Sequence, residues 1–247
     1  MDPWEMILAH RYADAVRAYE AEIRTDPDDP GLLSEHATGL LNLGRLDEAL
    51  IEYRAANELE SRQLNGESQP FLLDIGTILW LLGRRIEAIE TFRAAVEGIL
   101  KARIKFGDNA GGVSQGLLLW YAGLTAGDEC AKAEALNYLR KLAEKPRIKY
   151  WPGSLALFVL GQKSHCDVLL EVSGASKLDD AILQARSDLF KRRQLTKALF
   201  YFAVQQRSDS LEDECRDGMR RCASLENPIL ELEWYLARAE AHQISRR

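Results

Sequence analysis

The chain has 247 residues, 47% hydrophobic and 28% charged, enough for one large or two small globular domains with a real core. Its net charge is −6 and its pI about 5.4, against the basic balance that a broad nucleic-acid surface needs. Only 7 prolines and 17 glycines occur, and alternating β-branched residues are scarce, so helix is expected rather than sheet.

The first stretch, MDPWEMILAHR, has an acid at Asp2, no basic flank and no long apolar core. No secretory or lipid-anchor signal is expected there. Instead it predicts a short helix begun by Pro3 after Asp2 as N-cap. No run of 18 apolar residues occurs, so no membrane span is expected. The four cysteines, Cys130, Cys166, Cys215 and Cys222, form no Cys-x-x-Cys pair. Sparse, unpaired cysteine suits a reducing cytoplasm.

Three segments then repeat one pattern: RYADAVRAYEAEIRTDP from Arg11, RLDEALIEYRAANELES from Arg45 and RIEAIETFRAAVEGIL from Arg85. Each sets an alanine four residues before an aromatic: Ala15 and Tyr19, Ala49 and Tyr53, Ala88 and Phe92. The step from Ala15 to Ala49 is 34 residues, and that from Ala49 to Ala88 is 39. The surplus falls in RQLNGESQP, a loop-like stretch. TDPDDP, Thr25 to Pro30, reads as a helix stop and restart.

A 34-residue period of paired helices resembles the tetratricopeptide (TPR) repeat. The resemblance rests on Leu33, His36, Ala37, Leu40, Ala49, Tyr53 and Ser61 in one unit, and on Leu72, Ile75, Gly76, Leu79, Ala88, Phe92 and Leu100 in the next. Gly44 and Gly83 sit at the turns. The pattern is one of packing: small Ala37 or Gly76 admits the second helix, and the aromatic fills the gap between units.

Beyond Leu100 the pattern weakens. VSQGLLLWYAGLTAGDECAKAEALNYLRKLAEKP predicts a helix pair turning near Gly127, in an ambiguous repeat register. A break follows at Trp151-Pro152-Gly153, then short helices around Gly174. A clearer unit returns with Leu199, Phe202 and Ala203 on its first helix and Cys215, Met219, Cys222 and Asn227 on its second. The end, PILELEWYLARAEAH, predicts an amphipathic capping helix with Ile229, Leu232, Leu236 and Ala239 on one face. The Trp-containing break before LALFVLG and the terminal RRCASLENPILELEWYLA also resemble NlpI-type bacterial TPR adaptors, which implies a scaffold that gathers other proteins. The start MDPWEMILAHR does not resemble that type's lipoprotein signal, and none is expected there.

Catalytic chemistry finds little support. His36 falls at a core-facing position, and His10 replaces a turn glycine. His165 adjoins Cys166, but neighbours in sequence rarely point the same way, and a base must reach its nucleophile. No ligand spacing suggests a metal, so no cofactor is expected. GDNAGGVSQG lacks the Lys-Ser/Thr of a phosphate loop. Asp28-Asp29, Asp128-Glu129 and Asp179-Asp180 read as helix starts. The basic runs KPRIKYW (Lys145 to Trp151) and KRR (Lys191 to Arg193) read as solvated faces or a patch for an acidic protein partner.

The TPR resemblance implies a binding groove lined by the first helix of each unit. Its positions fall on Ser34, Thr38, Leu41 and Asn42, then Leu73, Thr77, Trp80 and Leu81, and last Lys197, Phe200, Val204 and Arg207. Trp80 and Phe200 are the candidate apolar anchors, or else pack between repeats.

The expectation is an all-α TPR superhelix, a right-handed α-solenoid of about five units with the fourth divergent and a capping helix. It forms one domain over 1–247: regular units 1–105, a divergent region 106–195, and a last unit with cap 196–247. The expected function is non-catalytic protein binding in a bacterial cytoplasm by a monomer or weak homodimer, without nucleic acid or membrane. The partner is a protein gathered by an adaptor, or else a basic toxin or secretion-system protein neutralised by an immunity protein. An enzyme on a helical solenoid is the remaining alternative.

Overall fold

The structure is a computed structural model describing residues 1–64, 70–101 and 108–244, and at 243 and 244 the helix course alone. Among these residues every regular element is helical and none is a strand. Most of the expected RQLNGESQP loop and the expected boundary after residue 105 fall on 65–69 and 102–107, outside the described residues. The helices pack into two compact units, 1–107 and 108–247.

The first unit contains α1 (Pro3–Leu8), α2 (Tyr12–Ile23), α3 (Pro30–Asn42), α4 (Leu46–Gln63), α5 (Leu72–Leu81) and α6 (Arg85–Leu100). Each packs chiefly on the helices before and after it in the chain. Side-chain caps set the starts of α1 and α3. The Asp2 carboxylate accepts from the Trp4 N–H at 2.7 Å, and Glu5 completes a capping box ahead of α1. Asp29 accepts from the N–H groups of Gly31 and Leu32, with Pro30 as the first residue of α3.

One turn closes hairpin after hairpin. At His10, Gly44 and Gly83 the backbone turns left-handed, with φ of 58°, 76° and 77°. The next N–H then reaches back five residues: Arg11 to the Met6 carbonyl (2.8 Å), Arg45 to Leu40 (2.9 Å) and Arg84 to Leu79 (2.9 Å). This is the Schellman closure, which satisfies helix-end carbonyls that would otherwise lack partners. Glycine adopts this φ without a Cβ clash; His10 adopts it as an exposed exception.

Inside the unit, Ala15, Ala49, Ala88, Tyr19, Tyr53 and Phe92 are all buried. A Cβ on Gly76 would stand 2.5 Å from the Phe92 ring. The small residue therefore lets the paired helices close, as the pattern requires.

The second unit contains α7 (Val113–Ala126), α8 (Glu129–Ala143), a 3-10 turn (Pro146–Lys149), α9 (Gly153–Val159), α10 (His165–Ser173), α11 (Leu178–Ala185), α12 (Leu189–Ser208), α13 (Glu212–Ser224) and α14 (Leu232–Ile244). The same turn recurs at Gly127, Gly161 and Ser210, with φ of 72°, 71° and 63°. Asp128 reaches Gly123, Gln162 reaches Leu157 and Leu211 reaches Gln206, each at 2.8 Å. Gly127 and Gly161 lie 34 residues apart, as do His10 and Gly44. The stretch whose register was ambiguous in the sequence thus holds two hairpins, α7 with α8 and α9 with α10.

Packing differs here. The long helix α12 touches α7, α9, α10, α11, α13 and α14. Cys215, Met219 and Cys222 are fully buried on α13, which packs against it. Burial pushes the Cys215 thiol up to about 11 and raises that of Cys222 further.

Candidate functional site

The groove positions of the first unit lie on α3 and α5. On α3 they form a hydrogen-bonded ladder. Ser34 Oγ donates to the Gly31 carbonyl (2.9 Å), Thr38 Oγ1 to the Ser34 carbonyl (3.0 Å) and Asn42 Nδ2 to the Thr38 carbonyl (2.8 Å). Thr38 Oγ1 also lies 2.8 Å from the Tyr53 hydroxyl, and Leu41 is buried beside it on the helix. Ser34 and Asn42 remain half-buried. On α5, Leu73 and Leu81 are half-buried, while Thr77 is buried.

Trp80 is only 2% exposed, with the Arg85 guanidinium over its ring at 3.7 Å. Phe200 is 0% exposed and meets the rings of Tyr121 and Tyr201 edge-on at 4.9 and 5.2 Å. Val204 is also buried. The candidate anchors therefore pack within the chain and have no surface to offer a partner. Ser34, Asn42, Leu73 and Leu81 keep solvent contact in the first unit, and Lys197 and Arg207 keep some in the second.

Lys197 and Arg207 belong to a polar seam between α12 and the chain around α14. The Arg193 Nε donates to Glu231 Oε1 at 2.7 Å. The Lys197 Nζ lies 3.3 Å from Glu231 Oε2 and 3.5 Å from Glu233 Oε1. The Tyr201 hydroxyl donates to Glu233 Oε1 at 3.0 Å. About two turns further on, Arg207 grips Glu240 with two hydrogen bonds, at 3.1 and 2.8 Å, and also donates to Thr125 at 3.0 Å. The Tyr121 hydroxyl donates to Glu240 as well, at 2.9 Å.

The seam is mostly buried and its charges offset one another only in part: Glu233 Oε2 is buried without a hydrogen-bond partner. Burial disfavours charge on Lys197, but Glu233 and Glu231 outweigh it and raise its pKa. Burial raises Glu233, and Lys197 only partly offsets this. Burial likewise opposes charge on Arg207, and Glu240 more than restores it. Two consecutive left-handed residues, Ile229 and Leu230, turn the chain just before Glu231. Such backbone costs of order 1–3 kcal/mol per residue and persists where its surroundings hold it.

The terminal helix carries more than the one apolar face expected of it. Ile229 and Leu236 are buried and Leu232 and Ala239 half-buried, but Glu231, Glu233, Trp234 and Tyr235 are buried too. The sequence signal for the seam is weak: basic and aromatic residues at 193, 197 and 201 share one face of a long helix. Their acidic partners lie more than thirty residues away.

Most remaining chemical candidates have structural partners, whereas neither ring nitrogen of His36 makes a hydrogen bond. His165 stacks on Phe202, ring centroids 4.0 Å apart, and burial lowers its pKa. The neighbouring Asp167 completes a capping box with Ser164. Asp128 caps α8 through the Ala131 N–H at 3.0 Å, and Asp179 and Asp180 stand in the first turn of α11. His36 is buried with its Nδ1 3.7 Å from Glu52 Oε1. No group of three metal-ligating side chains gathers among the described residues. No described helix is long and apolar enough to cross a membrane.

Surface residues missed in the sequence stand out at the join of α11 and α12. Leu183, Leu189 and Phe190 are exposed there, beside the KRR run.

No family model matches the sequence, and comparison with curated proteins gives no match.

Proposed function

We propose that this chain is a non-catalytic protein-binding module of the tetratricopeptide kind, built by stacking helical hairpins. One observation carries the reading. The same Schellman-closed hairpin occurs at His10, Gly44, Gly83, Gly127, Gly161 and Ser210, two of the intervals being 34 residues. Repeats of this kind cannot bury their apolar faces alone, and the surface that stacking creates serves recognition. A role as adaptor follows, with solvent-touching Ser34, Asn42, Leu73 and Leu81 as the groove positions open to a partner in the first unit.

The test is affinity capture of the tagged full chain from its own cells, followed by size-exclusion chromatography and mass spectrometry. A stoichiometric protein complex, weakened by Asn42→Ala with Leu73→Ala at unchanged helical signal, supports the reading. A single basic partner whose toxicity the chain suppresses would specify an immunity role instead of an adaptor. Turnover found in a substrate screen, with no stoichiometric partner, would overturn both.

A further inference from the structure

The second unit carries a surface that the groove reading does not use. Among its described large apolar side chains, the two most exposed are Phe190 at 65% and Leu183 at 63%; Leu189 adds 41%. All three fall within eight residues of sequence, at the end of α11 and the first turn of α12. Single exposed apolar residues are ordinary, but a local concentration with an aromatic among them marks an interaction surface. Next to Leu183 in sequence, Ile182, Ala185 and Arg186 line a crevice of about 90 Å³ together with Arg192, Leu225 and Glu226.

The rim is basic, in a chain whose net charge is −6. Arg192 stands at the crevice wall, donating to the Ala185 and Arg186 carbonyls at 3.3 and 2.8 Å and pairing with Glu226. Arg193 is matched by Glu231. Arg186 is exposed with no described acidic partner for its guanidinium, and Lys191 reaches only the neutral Gln184 amide at 3.4 Å. Of the local acids, Asp188 caps α12 through the Lys191 N–H, and Asp179 and Asp180 stand at the opposite end of α11. The end of the patch that holds Phe190 is thus positive.

Resting on the protein-binding reading above, we infer that Leu183, Leu189 and Phe190 form a docking surface for an acidic amphipathic segment of a partner protein. An apolar side chain of that segment enters the crevice, Phe190 packs against its apolar face, and its carboxylates meet Arg186 and Lys191. Charge complementarity selects this occupant, and a crevice of about 90 Å³ suits a single peptide side chain better than a lipid surface.

The test is selection of a random displayed-peptide library on the immobilised full chain, with counter-selection on Phe190→Ala/Leu183→Ala. Both side chains are largely exposed, so the variant keeps its fold, which circular dichroism checks. Enriched peptides should carry Asp or Glu flanking Leu, Phe or Trp. The best of them, as a fluorescent synthetic peptide, should bind at least about tenfold more weakly to Phe190→Ala. Its affinity should also fall with Lys191→Glu and with added salt. Peptides without acidic bias, or equal affinity for the double variant, would overturn the proposal. Binding of phosphatidylserine vesicles that Phe190→Ala abolishes, with no peptide enriched, would overturn it in favour of a membrane surface. If the cellular complex forms equally well with Phe190→Ala, this surface fails while the protein-binding reading stands. If no complex forms with either chain, that reading fails as well.

Discussion

The two units use the same hairpin and hold it together differently. In the first, helices meet their chain neighbours through alanines, glycines and aromatic rings. In the second, six helices converge on α12, and a seam of charges runs where α14 closes against it. A short repeat needs only a small residue opposite a large one. A helix with many neighbours must also match the polar groups it buries, because an unmatched buried charge costs several kcal/mol.

The largest effects should come from the two buried rings at candidate groove positions. Trp80→Ala in the first unit and Phe200→Ala in the second should each destabilise by about 3–5 kcal/mol, as truncations of buried aromatics do. Urea titration followed by circular dichroism measures this. A loss near zero for either would mean that its ring is not a core element, and would restore it as a groove residue.

Lys197→Met separates the units by mechanism. Removing one partner of a buried ion set costs about 3–5 kcal/mol, since Glu231 and Glu233 are left without it. Adding Glu233→Gln should recover part of the loss, and lowering the pH should also narrow it by protonating the carboxylates. Additive effects of the two substitutions in a double-mutant cycle would show the seam to be uncoupled.

Gly76→Ala probes the packing of the first unit. The added methyl meets the Phe92 ring at 2.5 Å, so a cost of about 1–3 kcal/mol is expected from overpacking. Phe92→Leu in the same chain should relieve it, and failure to do so would place the strain elsewhere.

These contrasts also explain what the sequence made legible. Ala49 with Tyr53 and Ala88 with Phe92 could be read because their partners lie within the same hairpin or the next. A local pattern reports a local contact. The seam could not be read, since Arg193 and Tyr201 find Glu231 and Glu233 across more than thirty residues. Trp80 and Phe200 were ambiguous for a related reason: a groove position and a buried one share the same helical spacing. Gly127 and Gly161 repeat the 34-residue interval, but glycine spacing alone does not specify a turn; only the backbone hydrogen bonds do.

Asp74 brings a pH dependence to the first unit. Burial raises its carboxyl to about 7, from 3.8. Its folded-state pKa lies above the unfolded one, so folding favours the protonated form. That contribution is complete below pH 3.8 and is lost as pH rises through about 7. Asp74→Asn should therefore stabilise the chain at pH 8, by about 1–2 kcal/mol after allowance for its partial exposure, and have little effect near pH 4. Thermal melts at both pH values test this. An equal effect at both would remove ionisation as the cause.

The smallest effect belongs to Tyr53→Phe. Thr38 Oγ1 already gives its proton to the Ser34 carbonyl, so the Tyr53 hydroxyl is the donor in the 2.8 Å bond between them. Phenylalanine removes that donor without opening a cavity, and the threonine keeps its own bond. The loss should be near 1 kcal/mol, the net worth of a neutral hydrogen bond. Tyr201→Phe removes the matching bond in the second unit, where the acceptor is the Glu233 carboxylate, 1% exposed. With Glu233 ionised beside Lys197 that loss should be larger, about 1.5–3 kcal/mol, since a charged acceptor binds more strongly. Equal losses at the two tyrosines would mean that Glu233 is protonated in the folded chain, and that Lys197 is balanced by Glu231 alone.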